Sequence, residues 1–252
     1  DNFNSIDYDL NTEIVYRNNI HQKHKIKFTY LKSTVSDSIT ILNPNYLGNS
    51  NTTADLFNIS YQLEHEKRDY IIYPLHGYAL SFEIKKYFSS DVTHFELLTK
   101  SEKHIEPFNR FYIGSSFKTK YSTKGNQPYF IQKALGYEDY VRGYEYYVVD
   151  GQSYWLSKTA IKYALIEKTD FEIPYVKMKQ FKKSHYSLYL GVFSDLGYVL
   201  NEQPENTLNN SLLWGKGIAL DYVTYYDKLL RIEYSINRLG EKAVFLHFSS
   251  PF

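Results

Sequence analysis

The chain has 252 residues and a formal net charge of +1, so charge gives no argument for a nucleic-acid partner. With no cysteine, it can hold no disulfide, thiolate metal site or cysteine nucleophile. Its longest apolar run is too short for a transmembrane helix or a signal peptide. Mean hydropathy is −0.47, yet 27 Tyr and 16 Phe bring the aromatic share to 18% with Trp. Tyrosine suits a place with one apolar side and one wet end.

The first segment alternates strictly. Ile6, Tyr8, Leu10, Thr12, Ile14 and Tyr16 fall on one face, and Asp7, Asp9, Asn11 and Glu13 on the other. Period two over this length predicts a strand that suits a tilted bilayer crossing better than a soluble sheet. Similar alternation runs through Ile26–Tyr30, Phe57–Leu63 and Tyr78–Ile84. Weaker strands are predicted near 92–102 and 109–121. After a long interruption come 153–167, 185–198, 213–225, 228–238 and 242–252, about eleven strands in all. A soluble β-sandwich also alternates. Long strands with aliphatic and aromatic faces opposite faces of mixed charge favour a transmembrane antiparallel up-and-down β-barrel.

Tyr226-Asp227-Lys228 and Lys103–Pro107 read as short turns on one rim. Long loops at 122–152 and 199–212 fall on the other, the habit of outer-membrane barrels. The 168–184 connection is the exception, being long on the short side. It carries lysines at 177, 179, 182 and 183 with Tyr175 and Phe181, and reads as a solvated turn rather than a contact with lipid headgroups or an accessory protein on the periplasmic side. No Pro/Gly/Ser linker divides the chain, so 1–252 reads as one barrel domain. An odd strand count leaves an open edge. With Asp1 opening almost directly into a strand, the expectation is that further strands precede it.

The long loop holds Val141-Arg142-Gly143-Tyr144. This resembles the VRGF/Y motif of the BamA/TamA family of outer-membrane assembly factors. Three other features sit where that family would place them. Arg68-Asp69 followed by Tyr73-Pro74-Leu75-His76-Gly77 resembles its turn motif, with Asp69, Pro74 and Gly77 as the defining residues. Phe193, Asp195 and Gly197 resemble its F-x-D-x-G strand motif, and alternation turns Phe193 and Asp195 inward, opposite Leu190 and Val192. The chain ends in aromatics, Phe248 and Phe252, similar to the terminal signal of outer-membrane proteins.

The resemblance implies the C-terminal eleven or so strands of a sixteen-stranded barrel, without its first strands and periplasmic POTRA repeats. It also implies a lumen-folded loop in which Arg142 pairs with Asp195. Arg supplies a planar fork for a carboxylate, and a buried charge needs a partner. Where the family has an inward glutamate after the loop, this chain has Lys158 and Lys162. Glu138 and Glu145 are loop carboxylates with no assigned place.

The implied function is insertion of nascent outer-membrane proteins, with outer-membrane lipids and accessory lipoproteins or subunits as further partners, in a Gram-negative outer membrane. Substrate strands would add at a seam bounded by Ala243–Phe252. The alternatives are a two-partner-type secretion pore, a porin-like channel, and the barrel of a patatin-like lipase fusion. No G-x-S-x-G, P-loop or H-E-x-x-H motif occurs, so no enzyme activity and no cofactor are expected. His21, His24, His94, His104 and His247 show no ligand spacing, so no metal site is expected either.

Overall fold

The structure, a computed structural model, describes residues 4–48, 50–88, 93–123, 127–172, 175, 183–202, 206–224 and 228–249. Eleven strands form one antiparallel sheet in chain order. They are β1 (Ser5–Asn19), β2 (Gln22–Val35), β3 (Thr53–Glu66), β4 (Gly77–Phe88), β5 (Thr93–Phe108), β6 (Phe111–Ser122), β7 (Ser153–Glu172), β8 (Lys183–Leu200), β9 (Leu212–Thr224), β10 (Lys228–Asn237) and β11 (Lys242–Ser249). A six-residue helix, α1 (Asp37–Leu42), lies between β2 and β3. Every strand pairs with its sequence neighbours, which is the up-and-down order of a barrel wall.

Alternation sorts the two faces of this wall. Phe28, Phe57, Ile59, Phe82, Val192 and Ile232 point outward and are exposed. On intervening positions Asp195, Asp221, Glu233 and Ser235 point inward and are buried. An exposed apolar band crossing a whole sheet far exceeds the scattered patches of a water-soluble surface. A buried face lined with charge is the inverse of a soluble core.

The strands run longer than the alternation alone indicates. Lys103–Pro107 is not a turn. β5 continues through it, with a register irregularity between Ile105 and Phe108, and the turn is at Asn109-Arg110. Inward Glu102 and His104 interrupt the apolar rhythm there without interrupting the backbone ladder. The connection placed at 168–184 is shorter too. β7 reaches Glu172 and β8 starts at Lys183. Residues 177, 179, 181, 182, 226, 227 and 252 lie outside the described residues.

Long connections gather on one rim: 36–52, 123–152 and 201–211. The opposite rim has tight turns at Ile20-His21 and Asn109-Arg110, together with the longer 67–76 segment. Both the 123–152 loop and the 67–76 segment leave their rims and enter the space the wall encloses.

Candidate functional site

The 123–152 loop carries its own small framework. Leu135 and Val149 pair as an isolated antiparallel bridge, and the Tyr129 and Tyr137 hydroxyls both donate to Asp150, at 2.6 and 2.7 Å. Leu135, Val141, Tyr144 and Val149 then bury themselves against Leu156 of β7, Val199 of β8 and Leu213 of β9. Apolar contact therefore seats the loop on the wall before any charge is considered.

Arg142 and Asp195 meet at the centre of this contact. The Arg142 Nε donates to Asp195 Oδ2 at 2.7 Å and Nη2 donates to Oδ1 at 2.6 Å. The Arg142 backbone N–H donates to Oδ2 at 3.2 Å. Asp195 is 0% exposed and Arg142 7%. Each charge is thus satisfied by a planar, bidentate geometry that a lysine could not reproduce. The guanidinium also lies 3.8 Å from the centre of the Phe193 ring. Phe193 and Asp195 are two apart on β8, so one strand face supplies both the stacking surface and the counter-charge.

Gly197 and Gly215 make this approach possible. A Cβ on Gly197 would come within 2.6 Å of Val141 Cγ2, and one on Gly215 within 1.7 Å of the Arg142 carbonyl oxygen. Gly215 is the register partner of Asp195 on β9. Gly143 has φ +90°, a conformation side chains resist. Its carbonyl accepts from Asn237 Nδ2 of β10 at 2.9 Å, and the Tyr144 hydroxyl accepts from the Arg238 N–H at 3.2 Å. The Val141–Tyr144 motif therefore touches three consecutive strands.

On the other rim, the 67–76 segment is closed by Asp69, whose Oδ1 accepts from the N–H groups of Tyr70 and Leu75 at 2.9 and 3.1 Å. Gly77 has φ +98°, and a Cβ there would lie 2.0 Å from the Lys67 carbonyl. Pro74 follows Tyr73, and Tyr73 reaches across the enclosed space. Its hydroxyl donates to Asp221 Oδ2 of β9 at 2.8 Å, and its ring packs with Tyr189 of β8. The Lys162 ammonium sits 3.8 Å from that ring's centre. Burial, with the Asp221 carboxylate beside it, holds the Tyr73 phenol well above its ordinary pKa, so it remains a donor. Asp221 is itself held by Arg231 of β10 through bonds of 2.6 and 2.9 Å.

Sequence reasoning singled out Asp69, Pro74 and Gly77 for their turn but missed Tyr73's reach, Gly215, Asn237, Arg231 and Glu233. Alternation marks Asn237, Arg231 and Glu233 as inward, and that is the one available signal. Lys158 and Lys162 are inward, as read. Lys158 lies 4.4 Å from the centre of the Tyr140 ring. Asp139, next to Glu138, pairs with Lys118. Phe248 sits on the outer face of β11 and is exposed.

No family model matches the sequence, and no curated protein matches it. Among solved structures, BamA from Haemophilus ducreyi lacking POTRA domains 1–3 superposes with a TM-score of 0.67 at 13% identity. The superposition covers 97% of this chain and 53% of that one, so the chain spans about half of that protein's length. The likeness is one of fold: this chain has the architecture of a barrel wall of the BamA kind.

Proposed function

We propose that this chain is the wall and lumen loop of an outer-membrane assembly factor of the BamA/TamA kind, which helps nascent outer-membrane proteins enter the bilayer. The observation that carries this reading is the docked Val141–Tyr144 motif, with Arg142 held by Asp195 on β8. The outward apolar band supports a place in the outer membrane of a Gram-negative bacterium, in contact with its lipids.

The mechanism needs no bond chemistry. β11 pairs with β10 and with no other strand among the described residues. Its eight residues present a row of backbone donors and acceptors to which an incoming strand can add. Among the described residues β8 has eighteen and β11 eight.

The test is depletion of the protein followed by a census of the outer membrane. Broad loss of barrel proteins is the expected result. Loss of a single exported protein would instead identify a dedicated secretion pore. Cysteine pairs between β11 and a stalled client should crosslink through Val244 or Leu246 and not through positions on β6.

A further inference from the structure

Three side chains with metal-ligand chemistry meet on the inner face of the last two strands. Glu145 follows the Arg142 motif on the loop, Glu233 lies on β10 and His247 lies on β11. One ligand atom from each lies within 4.8 Å of the other two. Far apart in sequence and drawn from three segments, they have no spacing for a motif search to find.

Their hydrogen bonding is incomplete in one direction only. Glu233 is 0% exposed, and neither carboxylate oxygen has a partner. Oε1 of Glu145 and Nε2 of His247 are likewise buried without a partner. The remaining Glu145 oxygen accepts from the Gly143 N–H at 2.8 Å, which fixes the carboxylate's direction. His247 is bracketed by the rings of Tyr140 and Phe245. The neighbouring cations are engaged elsewhere: Arg142 on Asp195, Arg231 on Asp221, and Lys158 over Tyr140. A fully buried carboxylate and a half-buried one, whose neighbouring cations hydrogen-bond to other groups, are expensive to hold side by side, and one divalent cation would satisfy both.

We propose that Glu145, Glu233 and His247 form a binding site for a divalent transition-metal ion of the zinc class. An imidazole with two carboxylates suits zinc and its neighbours, whereas magnesium and calcium prefer oxygen-only shells. Three protein ligands leave a fourth position for water. The ion would tie the loop to β10 and to the edge strand β11, so its occupancy would set how firmly that strand is held. Binding of the ion does not depend on an assembly role, and either can fail alone.

The experiment uses the full-length protein in detergent micelles, stripped with chelator and titrated with Zn²⁺ alone by calorimetry. The wild type should take up one tight equivalent that excess Mg²⁺ or Ca²⁺ does not displace. Glu233→Gln and His247→Ala should each bind at least about tenfold more weakly. Variants that bind as tightly as wild type, or a wild type that takes up no zinc, overturn the proposal. Because loss of binding in a variant can also come from misfolding, a second measurement uses the wild type only. Diethylpyrocarbonate labelling read by mass spectrometry should show Zn²⁺ protecting His247 but not the exposed His76. Equal labelling of His247 with and without zinc also overturns it.

Discussion

The two segments that enter the barrel hold on to the wall in opposite ways. At Arg142 the loop brings a charge and the wall supplies its partner, Asp195. At Tyr73 the wall already contains both charges, Asp221 and Arg231, and the incoming segment adds only a neutral hydroxyl. Removing the loop's contribution in the first case strands a carboxylate at 0% exposure. Removing it in the second leaves a complete ion pair. The first arrangement makes the wall depend on its loop, and the second does not. A buried charge is cheap only while its partner stays, so the location of the partner decides which segment can be released.

The largest effect that would expose this difference is expected from Arg142→Ala. Breaking a buried pair from one side costs about 3–5 kcal/mol. The folded band on unheated gels should weaken or vanish, and the 123–152 loop should become open to protease. The double variant Arg142→Ala with Asp195→Ala should recover part of that loss, because no buried charge is left behind. A double variant as unstable as the single one would mean that packing, not charge, dominates the contact.

Gly215→Ala comes next. Its methyl would occupy the place of the Arg142 carbonyl, and overpacking of this kind costs about 1–3 kcal/mol. The barrel should stay heat-modifiable while the loop is cut faster by protease. The smallest effect belongs to Tyr73→Phe, at about 1 kcal/mol, because Asp221 keeps both bonds from Arg231. A shift in unfolding midpoint as large as that of Arg142→Ala would erase the contrast between the two segments.

Much of this was legible before the structure. Period-two alternation places Phe193 and Asp195 on one face because strand geometry leaves no other option. The resemblance of Val141–Tyr144 to a known loop motif then names the partner. Legibility stops where a contact depends on crossing empty space. Tyr73 looks like one residue of a turn, and nothing local shows that it meets Asp221, 148 positions away. Gly215 looks like a weak spot in a strand, because its reason is a carbonyl from another segment. Lys103–Pro107 misleads for the reverse reason. Polar inward residues and a proline imitate a turn, while the backbone ladder runs on with one irregularity.

The indentation at Gly197 and Gly215 has a consequence for how the molecule is put together. The motif fits only where Asp195 faces Gly215 across the β8–β9 ladder and Asn237 of β10 stands in line with them. A slip of one residue in either strand would turn that strand's inward set to the outside. Asp195 would face the apolar surroundings, and Leu196 would fill the cleft. The seated loop is therefore compatible with one alignment of these strands, so its docking reports their register.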